Sequence, residues 1–231
     1  MKDLQKLEAT IGYAFKNIDL LRQAMTHRSY LNEHPEFTLG HNERLEFLGD
    51  AVLEIVVTEH LYNSYPDTPE GDLTDWRASL VNAKMLASIA KDLAVEQCLE
   101  MSRGEEKDDA SKARQYILAN AMEALIGAMY LDGGLSSAHV FIHRFVISHL
   151  ENILANRLYL DPKSRFQEKA QEVVGITPHY RVMSESGPDH EKIFEVGLYL
   201  DEELVAVGQG QSKQEAQVEA ATQGLKAKQW S

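Results

Sequence analysis

Five side chains in this sequence have the types and spacing to hold a hard cation. Glu43, Glu46 and Asp50 are separated by three and four residues, so a helix through them puts three carboxylates on one face. Like charges that close repel by a few tenths of a kcal/mol per pair when exposed, and more when buried. A divalent cation removes that penalty, and an oxygen-only ligand set suits Mg²⁺ or Mn²⁺ rather than zinc. On spacing alone, a solvated acidic face is the alternative. Two features favour the cation: apolar residues interleave the carboxylates, and Gly49 costs roughly 1 kcal/mol inside a helix. A glycine retained there implies close approach by another backbone. The second group lies in Ile117–Gly127, where Glu123 interrupts an otherwise apolar stretch and Asn120 precedes it by one turn. A lone glutamate among Ala, Leu and Ile is costly to bury without a partner. A metal shared with the first helix would be that partner; the alternative is a glutamate turned to solvent.

Helices must carry these groups. Leu20, Leu21, Ala24 and Met25 recur at helical spacing after Asn17-Ile18-Asp19. A long pattern runs from about Asn42 to Asn63, with Leu45, Leu48, Val52, Ile55 and Val56 apolar, and Pro66 and Pro69 stop it. A third runs from about Gly71 through Leu93. Residues 104–111 read as a charged loop. A fourth helix covers about Lys112 to Leu131 and ends at Gly133-Gly134, and a fifth covers about Ser136 to Asn156.

The pattern changes near Asp161-Pro162, a favoured N-cap followed by a favoured first helical residue. That helix carries Phe166, Ala170 and Val173. Three strands follow: Tyr180 and Val182 in the first, Phe194, Val196, Leu198 and Leu200 at a two-residue period in the second, Leu204, Ala206 and Gly208 in the third. Asp201 to Glu203 form a tight acidic turn. Ser212 stands three residues before Glu215, a capping-box spacing, and opens a last helix with Ala216, Ala220, Ala221 and Leu225. The expected fold is therefore an all-α domain over residues 1–157 followed by an α+β domain, α-β-β-β-α, over 161–231.

At this point the residues resemble a known family. NERLEFLGDA at 42–51 resembles the signature of ribonuclease III. The resemblance extends to Gly12–Asn17, Thr26–Tyr30, Pro69–Leu73 and Ile117–Asp132. Ser186–His190 and Gly208–Lys213 resemble a double-stranded-RNA-binding domain. Together they cover nearly the whole chain in the order of the short bacterial form. The resemblance implies a homodimeric, Mg²⁺-dependent endonuclease (with Mn²⁺ as substitute) that cuts double-stranded RNA to 5′-phosphate and 3′-hydroxyl ends with a short 3′ overhang, in RNA processing. By the same resemblance Glu46, Asp50, Asn120 and Glu123 fall at the metal positions, and Asp50, Glu123, Glu43 and Glu70 form the catalytic acidic set. Phe47 falls where the family packs an aromatic into the partner subunit. In the second domain, Ser164, Gln167, Glu168 and Gln171 would face one minor groove and His190 the next, while Ser212 and Lys213 would meet phosphates.

One departure stands out: the family has Asp where this sequence has Asn120. Asn offers one neutral carbonyl oxygen in place of a charged pair, which weakens Mg²⁺ binding. The expectation is a chain that binds RNA but cuts slowly or not at all; the runner-up is a non-catalytic RNA-binding protein on the same scaffold. Gln214 and Gln217 also stand where positive charge is common in the family, which should lower affinity and salt dependence.

The 231 residues carry a net charge of −13, which taken alone argues against a nucleic-acid partner. Residues 162–231 hold 8 basic and 11 acidic side chains, so −10 of that charge lies upstream, where the metal ligands are. Lys112 and Arg114 are candidates for phosphate contact near the cleft, or plain surface charges. The one cysteine, Cys98, excludes an internal disulfide framework and a cysteine zinc site, and reads as a small core residue. No P-loop or Rossmann glycine pattern is present. No apolar run approaches the ~20 residues of a membrane helix, and MKDLQKLEAT lacks the apolar stretch of a secretory signal. A cytoplasmic protein without membrane contact is expected.

Overall fold

The computed structural model describes residues 3–106, 112–188 and 192–230. The chain divides into two compact units, Met1–Ala155 and Asn156–Ser231.

The first unit is helical: α1 Leu4–Ile11, α2 Ile18–Ala24, α3 Arg28–Glu33, α4 Glu43–Ser64, α5 Glu70–Val81, α6 Ala83–Asp92, α7 Arg103–Glu106, α8 Lys112–Phe145 and α9 Leu150–Ala155. Among its described residues the one extended pairing is an isolated bridge between Thr26 and Glu100. α1 and α3 were not anticipated. The single helix expected from Gly71 to Leu93 is two, because Asn82 is extended (φ −70°, ψ 156°) and its side chain accepts from the Met85 N–H at 2.9 Å. A side chain that caps a new helix ends the old one. Part of the expected loop after Gly104 belongs to the short α7. The predicted stop at Gly133-Gly134 is a break inside α8: Gly134 has φ 75°.

α4 and α8 form the centre. Leu45, Val52, Leu53, Val56 and Val57 of α4 are buried, as are Leu118, Ala121, Met122, Leu125 and Ile126 of α8. Ile55, one of the apolar residues of the α4 pattern, is exposed. The stretch Lys112–Ala155 is long and apolar enough, by length and composition, to pass for a membrane span, but its apolar side chains in the Ile117–Met129 segment are buried within this unit. Asn42 anchors the start of α4. Its amide N–H₂ donates to the Ala24 carbonyl at 3.2 Å and its backbone N–H to the Thr26 carbonyl at 2.9 Å. Asp132 ties α8 to the chain before α2, accepting from the Tyr13 hydroxyl and from the backbone N–H groups of Lys16 and Asn17 at 2.7–2.9 Å.

The second unit runs α10 Pro162–Val174, β1 His179–Ser186, β2 Ile193–Leu200, β3 Glu203–Gly210 and α11 Lys213–Ala227. The antiparallel sheet has the order β1-β2-β3, with Leu200 opposite Glu203 across the Asp201-Glu202 turn. Asp161 caps α10 by accepting from Lys163 and Ser164, and Ser212 caps α11 by accepting from the Glu215 N–H at 3.1 Å. The Glu215 carboxylate reaches back past the cap and accepts from the Gln211 N–H at 3.1 Å. The core is Phe166, Ala170, Leu198, Leu200, Ala220, Ala221 and Leu225. Two domains, all-α then α-β-β-β-α, are what the sequence patterning predicts.

Candidate metal centre and nucleic-acid interface

The first group of functional side chains depends on one helix crossing. A Cβ on Gly127 would stand 2.2 Å from the Leu45 carbonyl oxygen, so α4 and α8 meet backbone to backbone. Gly49 on α4 sits in the same contact, as its cost in helix propensity implies. The crossing carries Glu46 and Asp50 on α4 to Asn120 and Glu123 on α8.

Their mutual effects show the convergence. The Glu123 carboxyl is pushed up to about 7, first by burial, then by the charges of Asp50, Glu46 and Glu54. The Glu46 carboxyl is also raised, by burial and then by Glu43 and Asp50, while a hydrogen bond from the Asn120 amide partly offsets this. Glu54 was missed in the sequence, although it lies four residues beyond Asp50 on the same face. It forms an ion pair with Arg77 Nε at 2.9 Å. Glu43 stands at the start of α4, with one carboxylate oxygen 3.5 Å from Arg28 Nη1 and the other 3.8 Å from His41 Nδ1. Glu70 is not brought into this group: it opens α5, accepts from the Thr74 hydroxyl at 3.0 Å, and is absent from the charges that act on Glu46 or Glu123.

Among the described residues no three Asp, Glu, His or Cys side chains are already gathered as a ligand set. The donor chemistry nevertheless fits a hard divalent ion. Every donor is oxygen, and burial and the neighbouring carboxylates raise the proton affinity of Glu46 and Glu123, which is the penalty a cation would relieve. Asn120 is the neutral member. Arg114 does not serve a phosphate: it is buried, and its Nε donates to Glu96 Oε1 at 2.8 Å. Cys98 is buried as expected.

On the second unit, Ser164, Gln167, Glu168 and Gln171 are all exposed on α10, spaced three, four and seven residues from the first, so they share a face. Glu168 pairs with Arg157 at 3.7 Å, and the Gln171 amide donates to the Thr177 hydroxyl at 2.8 Å. Lys213 lies 3.3 Å from Glu185 and 5.5 Å above the Phe194 ring. Lys163 donates to Gln217 at 2.6 Å. His190 lies outside the described residues.

Comparison with known proteins decides the lineage. A family model described as Ribonuclease-III-like matches residues 17–150, and one described as a double-stranded RNA binding motif matches residues 162–227. The chain belongs to the ribonuclease III family. It is an endonuclease of that type, with the acidic group in the nuclease domain and the exposed α10 face in the RNA-binding domain. Ribonuclease 3 of Desulforamulus reducens is 44% identical over 216 residues, covering 94% of this chain and 87% of the relative. Ribonuclease 3 of Dehalococcoides mccartyi is 40% identical over 227 residues, covering 97% and 94%. The crystal structure of the nuclease domain of ribonuclease III from Campylobacter jejuni is 40% identical with a TM-score of 0.57, and covers 64% of this chain and 97% of that one. A second structure of that domain, described by the flexibility of a region involved in dimer formation, matches at 39% identity and the same TM-score, covering 63% and 97%.

Proposed function

We propose that this chain is a Mg²⁺-dependent endonuclease of double-stranded RNA that works as a cytoplasmic homodimer in RNA processing, leaves 5′-phosphate and 3′-hydroxyl ends with a short 3′ overhang, and is slowed by Asn120. The observation that carries the reading is the convergence of Glu46, Asp50 and Glu123 on one helix crossing, in a chain whose second unit is a double-stranded RNA binding motif. Glu46, Asp50, Asn120 and Glu123 would hold the ion. When bound, a divalent ion offsets charge on the scissile phosphate and makes water a stronger nucleophile at neutral pH.

The protein's own groups do the rest. The Gly49–Gly127 contact fixes the spacing of the acidic set. Glu123, whose carboxyl is raised most in the metal-free chain, would lose its proton to bind the ion, so ion binding there would be coupled to proton release. Glu43 and Glu70 are assigned as further acidic members on family resemblance. Phe47 is 82% exposed on α4, the placement expected of an aromatic that is buried only when a second copy docks. The α10 face, with Ser212, Lys213 and His190, is assigned to the duplex.

Asn120 favours a second reading, a duplex-binding protein that has lost cleavage. Labelled duplex RNA with Mg²⁺ separates the two, run beside Asn120→Asp. Slow cutting that Asn120→Asp speeds at least tenfold supports an impaired nuclease. No cutting by the unaltered chain, with cutting restored by Asn120→Asp, supports the second reading. Equal rates overturn the role given to Asn120.

A further inference from the structure

An acidic cleft that must receive a polyanion needs a cation in its wall. The concave surface beside the metal centre is lined by Glu43, Glu46 and Asn120 together with His27, Arg28 and Tyr116. Arg114 is committed to Glu96 and is not part of that lining. Arg28 therefore supplies the guanidinium to the wall that holds Glu46 and Asn120.

Its backbone is fixed while its side chain is not. The His27 N–H donates to the Glu100 carbonyl at 2.9 Å, the Ser29 N–H to His27 Nδ1 at 3.3 Å, and the Ser102 N–H to Ser29 Oγ at 3.0 Å. The Arg28 side chain itself is 72% exposed and meets Glu43 only at 3.5 Å. An exposed pair that long contributes about 0–1 kcal/mol, so it exchanges readily. A phosphodiester offers the guanidinium fork two oxygens with matching geometry.

We propose that Arg28 is a binding residue for an RNA backbone phosphate at the mouth of the metal centre, held ready by Glu43 and released from it when the strand enters. This rests on the double-stranded-RNA reading above. Glu43 then competes with the strand for the guanidinium.

The test is equilibrium binding of the full chain to a labelled RNA duplex in Mg²⁺, read by anisotropy across a salt series before products accumulate. Arg28→Gln should weaken binding about fivefold to tenfold and lower the slope of log affinity against log salt by about one counterion. Arg28→Lys should keep the slope and lose part of the affinity, because the charge remains and the fork does not. Lys91→Gln, on α6 outside the cleft lining, controls for net charge. Glu43→Gln should tighten binding, and that gain should vanish in the Arg28→Gln background. The same gain in both backgrounds would mean a general charge effect and would overturn the proposal. So would an Arg28→Gln slope equal to that of the unaltered chain. If the unaltered chain binds no duplex at any salt, the RNA reading itself is wrong, a result distinct from the other two.

Discussion

A Cβ on Gly49 would stand 1.7 Å from the carbonyl oxygen of Glu123, a distance at which backbone must move. Propensity and packing therefore oppose each other at this position. Alanine is better than glycine in a helix by about 1 kcal/mol, so propensity alone makes Gly49→Ala stabilising. The clash is with backbone and cannot be relieved by a rotamer change, so Gly49→Ala is expected to destabilise the nuclease domain by about 3 kcal/mol or more. Thermal unfolding checks the sign. A higher Tm for Gly49→Ala would mean that the helices can part at little cost, and the metal centre would lose its positioning argument.

Glu123 has its carboxyl pushed up to about 7 in the folded chain, against about 4.5 when unfolded. The folded state thus holds a proton that the unfolded state gives up, and stability falls as pH rises from about 4.5 through 7. Glu123→Gln removes the buried charge. Without divalent metal it should be more stable than the unaltered chain at pH 8 by about 1–2 kcal/mol, after discounting for partial exposure, with the gap closing below pH 5. Denaturant titrations in EDTA at the two pH values measure this. A substitution that stabilises the metal-free protein while abolishing cutting is the signature of a group placed for function.

Asn120→Asp should act in the opposite sense. It replaces an amide that donates to Glu46 with a fourth carboxylate, so the metal-free protein should lose stability at neutral pH. With the ion present, the added charge should lower the Mg²⁺ concentration for half-maximal thermal protection by about tenfold. Melting curves across a Mg²⁺ series give both numbers. Unchanged Mg²⁺ dependence would remove Asn120 from the ligand set.

Much of this arrangement was legible in the sequence, for identifiable reasons. Long elements with clean periodicity, α4 and the first part of α8, were visible because each buries one face over several turns. Gly49 signalled a backbone contact because a glycine there had a cost to explain. α1 was legible but overlooked, since Leu4, Leu7 and Ile11 recur at helical spacing, whereas α3 has six residues and buries none of them, leaving no apolar repeat to read. The division of α5 from α6 turns on the backbone of a single residue, Asn82, whose type suits a helix cap and a helix surface alike. Arg114 looked like surface charge because its partner, Glu96, is eighteen residues away and reaches it only through the fold. The pairing of Glu43 with Arg28 was hidden for the same reason.

Self-association is expected to depend on Phe47. The side chain is 82% exposed, and Ile55 and Tyr62 of the same helix are exposed at 57% and 73%. Large apolar groups left in water along one helix mark a surface that another chain covers. Phe47→Asp should shift the sedimentation of the full chain toward a single copy while leaving its Tm at low concentration nearly unchanged, because the residue contributes little to its own subunit's core. Phe47→Asp sedimenting as the unaltered chain does would place the dimer contact elsewhere.

Duplex recognition by the second unit should divide into two kinds of loss. Lys213 offers a charge at the start of α11, already shared with Glu185 and the Phe194 ring, so its gain on meeting phosphate is partly offset by contacts it gives up. Lys213→Gln is therefore expected to weaken binding about threefold to tenfold and to lower the salt slope by about one counterion. Gln167 is neutral and exposed in the middle of the α10 face, where its amide suits a ribose 2′-hydroxyl rather than a phosphate. Gln167→Ala should cost a similar factor with no change in slope, and should narrow the preference for RNA over a DNA duplex of the same sequence. Binding to both duplexes across a salt series distinguishes the two. If Gln167→Ala changed the slope as Lys213→Gln does, or left the RNA preference intact, the α10 face would be contacting charge rather than the RNA minor groove.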